Sequence, residues 1–181
     1  PTLVSFAVTT EKNNNIVSPE FKGANHKVVL LTCDYDETGL PVTESLLELY
    51  DTVYNLVCDK KALAIYTPTY GGIAEAIMKM GFGNDIGVKY ENITLNEIFG
   101  YNRGAFIIEL ADNTEIGRTI GYTTATKEIV LGDEKVDLSA IYGAYENVLE
   151  SVYPCNIDQG DKKIETVSYT AKEIIKPRFT A

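Results

Sequence analysis

A chain of 181 residues is long enough for one domain with a substantial core and short for two full ones. Its composition, 45% hydrophobic and 10% aromatic, excludes the polar, aromatic-poor signature of disorder. Against 26 Asp+Glu there are 16 Lys+Arg, a net charge of −10 that repels phosphodiester backbones and argues against nucleic acid as a partner, while leaving room for a local pocket for a small anion.

In chain order, Leu3-Val4-Ser5-Phe6-Ala7-Val8 reads as a first strand over residues 3–10, followed by a polar turn at Glu11-Lys12-Asn13-Asn14-Asn15. The run Lys27-Val28-Val29-Leu30-Leu31-Thr32 is a β-branched strand expected to be covered on both faces, so helices must flank the sheet. Thr43 suits an N-cap, and Leu46, Tyr50, Val53 and Val57, widened by Leu47 and Tyr54, predict a helix. Glu44, Glu48 and Asp51 fall on its solvent side. Residues 62–67 predict a strand broken by Pro68, and Gly71-Gly72 opens a helix with Ile73, Ala76, Ile77 and Met80 on its apolar face. Residues 86–90 read as extended and 94–99 as a helical turn. Strands are expected at 105–110, 116–123, 128–131 and 135–138, the last two around Gly132-Asp133. A closing helix carries Leu138, Ile141, Tyr142, Tyr145, Val148, Leu149 and Val152 and stops at Pro154. The fold class expected is α/β of the mixed (α+β) kind, a mixed sheet flanked by helices, with a domain over 1–153 and an extension or linker over 154–181. The start at Pro1 and the close on Ile174-Ile175-Lys176-Pro177-Arg178-Phe179 both read as internal cuts in a larger protein.

Cys33, Cys58 and Cys155 are odd in number and lack CxxC spacing or nearby histidine pairs, so they read as reduced thiols and no metal site is expected. No stretch approaches the ~18 apolar residues of a membrane span, and the compartment expected is cytoplasmic. His26 is the only histidine; it is either a solvated loop residue or the one candidate for a histidine base. The local feature richest in chemistry is Thr67-Pro68-Thr69-Tyr70-Gly71-Gly72-Ile73, between a strand end and a helix start. The backbone amides of Gly71, Gly72 and Ile73, with the positive end of the helix dipole, can cradle a phosphate. Alternatively the two glycines only let strand and helix pack closely, since neither a P-loop lysine nor a third glycine is present.

The segments Leu3-Val4-Ser5-Phe6-Ala7-Val8-Thr9-Thr10, Ile16-Val17-Ser18-Pro19-Glu20-Phe21-Lys22, Tyr70-Gly71-Gly72-Ile73-Ala74-Glu75-Ala76-Ile77, Gly104-Ala105-Phe106-Ile107-Ile108 and Ile116-Gly117-Arg118-Thr119-Ile120-Gly121 together resemble the C-terminal domain of the AIR synthase-related superfamily. The resemblance is to the second such domain in long-form phosphoribosylformylglycinamidine synthases. It implies an ATP- and Mg-dependent ligase of purine biosynthesis that converts a small phosphorylated substrate, formylglycinamide ribonucleotide, to its amidine. It also implies an ATP-binding domain upstream and a glutaminase downstream as partners within the same chain, with this segment one wall of a nucleotide site and inactive alone. A non-catalytic scaffold, a structural-nucleotide domain and the equivalent domain of another superfamily member are the alternatives, and the opening segment argues against the last. Superfamily members commonly carry an acid where Tyr66 and Thr67 stand, so acid–base or metal chemistry is not expected from this wall. Many relatives also place a helix between the two strands here joined around residues 111–114, so a reduced connection is expected.

Overall fold

The buried run Val28-Val29-Leu30-Leu31 lies inside a seven-stranded sheet, where every residue of its strand is shielded from solvent. The computed structural model describes residues 3–154 together with Ser168 and Thr170, so most of the expected 154–181 extension lies outside the described residues. The elements are β1 (Lys27–Leu31), α1 (Thr43–Cys58), β2 (Ala62–Tyr66), α2 (Gly72–Phe82), β3 (Gly87–Tyr90), α3 (Leu95–Ile98), β4 (Phe106–Leu110), β5 (Arg118–Thr124), β6 (Glu128–Leu131), β7 (Glu134–Asp137) and α4 (Leu138–Glu150). The strand order is β2-β4-β1-β5-β3-β6-β7. All neighbours are antiparallel except β3 and β6, which run parallel. This is the mixed α/β sheet expected. One compact unit, Pro1–Asn147, holds the whole sheet; Val148–Ala181 forms a second.

Alternation along the strands sorts the core into two layers. Val28, Leu30, Ala64, Val88, Tyr90, Ile107 and Ile120 face α2 and α3, where they meet Ile73, Ala76, Ile77, Met80 and Ile98. Val29, Leu31, Ala62, Ile108 and Leu110 face α1 and meet Leu49, Val53, Leu56 and Val57. On α2 the four apolar residues read from the sequence are all buried. On α1 the buried face is rotated from the one expected: Leu49 and Leu56 join Val53 and Val57, while Leu47, Tyr50 and Tyr54 are exposed. The helix carries two apolar rows, and the sheet takes the aliphatic one because it fits close against β-branched strands. Tyr50 stacks edge-on to Phe106 at 5.9 Å, and the Tyr54 hydroxyl donates to Glu11 Oε2 at 3.3 Å. The residue flanking this helix is Val42, and Thr43 is its first helical residue without a side-chain cap. The Ser45 hydroxyl instead accepts from the Asp34 amide at 2.9 Å.

The first strand expected, residues 3–10, is not one: the segment carries no regular structure, and Leu3 and Phe6 are 94% and 87% exposed. Apolar alternation makes a strand only where a neighbour supplies ladder partners, and none of the seven strands pairs with it. The stripe on α4 is likewise only partly used. Within the first unit Leu138 is buried and Tyr142 and Tyr145 pack on Phe82 at 4.9 and 5.7 Å, and within the second Val148, Leu149 and Val152 are exposed. Between β4 and β5 the chain travels back along the sheet through residues 111–117 without a helix. Lys27, almost fully buried, anchors this reduced crossover through the carbonyls of Asn113 and Thr114 and a 3.0 Å ion pair with Glu115. The hairpin at Gly132-Asp133 forms with Leu131 opposite Glu134, and Gly132 takes φ +61° at the first loop position, as a tight two-residue connection requires.

Candidate functional site

β1 and β2 are parallel, each antiparallel to β4 between them, so their carboxyl ends and the start of β4 lie on one edge of the sheet. The loops that follow β1 and β2 and the loop that enters β4 therefore meet on one side of the sheet. The turn after β2 is closed by the Gly72 amide donating to the Thr69 carbonyl at 3.1 Å. Gly72 sits at φ +64°, and a Cβ there would lie 2.7 Å from the Ile98 carbonyl oxygen and 2.9 Å from that of Gly100. The residue therefore faces a packed wall of backbone. Ile73, next in line, is buried in the core with 1% exposure. The Gly71 amide donates to Glu75 Oε2 at 2.8 Å, the Thr69 hydroxyl donates to the same oxygen at 2.8 Å, and Lys79 pairs with Glu75 Oε1 at 2.6 Å. Lys79, then the Gly71 amide, then Thr69 hold the Glu75 carboxyl below its usual range, and the pairing in turn raises Lys79. The positive end of α2 thus already has an anion from its own first turn.

Beside this turn lies a residue that sequence reasoning passed over. Arg103, in the loop before β4, extends its guanidinium over the ring of Tyr70 at 5.0 Å and that of Tyr101 at 5.3 Å. The Tyr35 hydroxyl donates to the Arg103 carbonyl at 2.6 Å and fixes the loop. Among the described residues Arg103 forms no ion pair. Thr67, Pro68, Thr69, Tyr70, Arg103 and Gly104 line a cleft of about 260 Å3. A guanidinium flanked by aromatic faces and a threonine hydroxyl can hold a phosphate or carboxylate. Nothing in the local pattern around Arg103 singles it out, because Tyr70 comes from a turn 33 positions away in sequence.

His26 is a loop residue, its side chain about 32% exposed, but it is tied to a buried carboxylate and is not part of this edge. Its Nδ1 lies 2.6 Å from Oε1 of Glu109, a carboxylate with 0% exposure that also accepts from the Lys22 amide at 2.8 Å and the Gly23 amide at 3.2 Å. The group clamps the loop that enters β1, at the strand's amino end, roughly 15 Å of strand from the cleft. Cys33 is buried and Cys58 half-buried, both free, and Cys155 lies outside the described residues. Among the described residues no group of three or more His, Cys, Asp and Glu is placed to hold a metal ion. No helix among them is long and apolar enough to cross a membrane.

No family model matches the sequence. No curated protein matches it either. Solved structures do match. Thermotoga maritima PurL complexed with FGAR aligns at TM-score 0.59 and 10% identity over 93% of this chain and 33% of that one. Phosphoribosylformylglycinamidine synthase II from the same organism aligns at 0.56 and 11% over 90% and 30%. PurL complexed with ADP aligns at 0.57 and 10% over 70% and 27%. The chain has an AIR synthase-like fold, and it spans about a third or less of the structures it matches.

Proposed function

We propose that this chain is one wall of a nucleotide or phosphate site in an ATP-dependent, purine-biosynthetic ligase of the phosphoribosylformylglycinamidine synthase kind, and that it completes no reaction alone. On this reading residues 1–153 are the AIR synthase-related domain, and 154–181 lead toward a glutaminase, with the ATP-binding domain upstream. The observation that carries the reading is Arg103: a cation without a carboxylate partner among the described residues, on a chain of net charge −10, in the cleft where the loops of β2 and β4 meet. Arg103 and Thr67 would hold a phosphate group, with the rings of Tyr70 and Tyr101 lying against the guanidinium. The amides of Gly71, Gly72 and Ile73 form the back of the turn, and an anion reaches Gly71 only when Glu75 swings away. Tyr66 and Thr67 offer no carboxylate, so this wall binds and orients while proton transfer and metal binding come from elsewhere. ATP, when bound, supplies the phosphoryl group.

A non-catalytic scaffold is the second reading, favoured by Glu75 filling the position of an anion at α2. Arg103→Ala separates the two in the enzyme that carries this chain. A phosphate wall predicts about tenfold or greater loss of nucleotide or substrate affinity at an unchanged unfolding midpoint; unchanged affinity supports the scaffold. Glu75→Ala should raise nucleotide retention if Gly71 then donates to phosphate. Gly72→Asp is unsuitable, since its Cβ would strike the Ile98 carbonyl and misfold the turn under either reading. The isolated chain with ATP, formylglycinamide ribonucleotide and ammonia should form no amidine, and turnover would overturn the proposal.

A further inference from the structure

Where β1 ends and β5 begins, the amino-terminal half of α1 lines a polar cleft of about 600 Å3. Ser45, Glu48 and Thr52 enter its lining at spacings of three and four residues, one row of the helix beside the row that carries Leu49 and Val53 into the core. Asn102, from the loop before β4, and Arg118, the first residue of β5, line it as well. It shares no residue with the cleft around Arg103. The Ser45 hydroxyl accepts from the Asp34 amide at 2.9 Å and keeps its own proton to donate. Thr52 donates to the Glu48 carbonyl at 2.8 Å and keeps lone pairs to accept with. Asn102 gives an amide N–H to the Gly100 carbonyl at 3.1 Å, which leaves its own carbonyl oxygen as an acceptor. Arg118 is engaged by Glu97 at 2.6 Å and by the Asn92 carbonyl. The Glu48 carboxylate has no ion pair among the described residues.

We propose that this cleft binds a neutral, monosaccharide-sized polyol, with the Glu48 carboxylate accepting hydrogen bonds from two vicinal hydroxyls of it.

The charges at the walls select a neutral occupant, because Glu48 opposes an anion and Arg118 opposes a cation. The polar groups select one rich in donors. Both Glu48 oxygens, the Thr52 lone pairs and the Asn102 carbonyl accept, against the single proton of Ser45, and hydroxyls are the neutral groups that meet such a set. A carboxylate offers two acceptor oxygens side by side, which suits two adjacent hydroxyls, and hydrogen bonds to an ionised acceptor are the stronger kind. The buried Leu30, Leu31 and Leu49, which also line the cleft, meet the C–H faces of a sugar ring. The volume lies within the range of about 300–1,000 Å3 usual for small-molecule sites. Ser45, Glu48 and Thr52 stand on a helix that Leu49 and Val53 fix to the sheet, so the row is held in place before anything binds. This proposal is independent of the phosphate reading and survives its failure.

The probes are methyl β-D-ribofuranoside, which carries a vicinal diol, and its 2-deoxy analogue, which does not. Each is titrated into the 181-residue chain and followed by NMR shifts of the Leu49 and Thr52 methyls. The riboside should give saturable shifts in the millimolar range, and the deoxyriboside should bind about tenfold or more weakly, the loss of one hydrogen bond to a charged acceptor. In Glu48→Gln the riboside should lose about tenfold in affinity and the gap between the two sugars should narrow. Glu48 is exposed, so this variant should keep its unfolding midpoint. Absence of saturable shifts at tens of millimolar riboside overturns the proposal. So do equal affinities for the two sugars, and so does an unchanged riboside affinity in Glu48→Gln. Saturation of the same methyls by putrescine and not by the riboside would assign the cleft to a cation and overturn it too.

Discussion

Glu109 shows how a single side chain can be misjudged from its neighbours in sequence. In Phe106-Ile107-Ile108-Glu109-Leu110 it looks like a solvent-facing break in an apolar strand, yet it is fully buried and accepts from two backbone amides and from His26. Glu109→Ala leaves the Lys22 and Gly23 amides without an acceptor, at about 1–3 kcal/mol per group. The expected loss is about 3 kcal/mol in urea unfolding, with His26→Ala costing less because both amides keep their acceptor. Glu97 works at the surface and gives a pH signature. Arg118 and then Thr94 lower its carboxyl from 4.5 to about 2, and Ser18 and then Lys22 do the same for Glu20. Folded-state values below the unfolded one mean that this stabilisation is complete above about pH 4.5 and is lost as pH falls toward 2. Thermal midpoints should drop across that window, less steeply in high salt, and Glu97→Gln should flatten the slope. An unchanged slope in that variant would remove Glu97 from the account.

At the scale of elements, α2 could be read directly because it has one apolar row, so period and face coincide. The helix α1 has two, and its period alone does not say which meets the sheet. Leu56→Ala should therefore cost about 2–5 kcal/mol as a cavity in the core, whereas Leu47→Ala should stay within about 0.5 kcal/mol as a surface change. Equal losses in chemical denaturation would mean that the face assignment is wrong. The short helix α3 was legible for a different reason: Thr94 and Glu97 form a reciprocal capping box, a signal contained within four consecutive residues. The reduced connection at 111–117 also follows from sequence, since too few residues separate β4 from β5 to hold a helix and still return along the sheet. What could not be foreseen is that Lys27 would be buried to anchor it.

Over the whole molecule, residues 3–10 have the strongest β pattern outside the sheet and no part in it. Their deletion removes no buried side chain, so the unfolding free energy of the remaining chain should change by less than about 0.5 kcal/mol. A larger fall would show that the segment contributes to the fold. Residues 3–10 aside, the sequence by itself determined the kinds of elements from β1 to α4, their order and the absence of a carboxylate at Tyr66 and Thr67, because these depend on residue identity and short-range period. Only the tertiary structure decided that Glu75 occupies the Gly71 amide, that Gly72 abuts the Ile98 carbonyl, and that Arg103 stands between Tyr70 and Tyr101. Most of these contacts join loops at the edge shared by β1, β2 and β4, brought together by strand pairing between residues far apart in the chain. Local periodicity carries no information about such distances, whereas the hydrogen-bonded register of the sheet sets them.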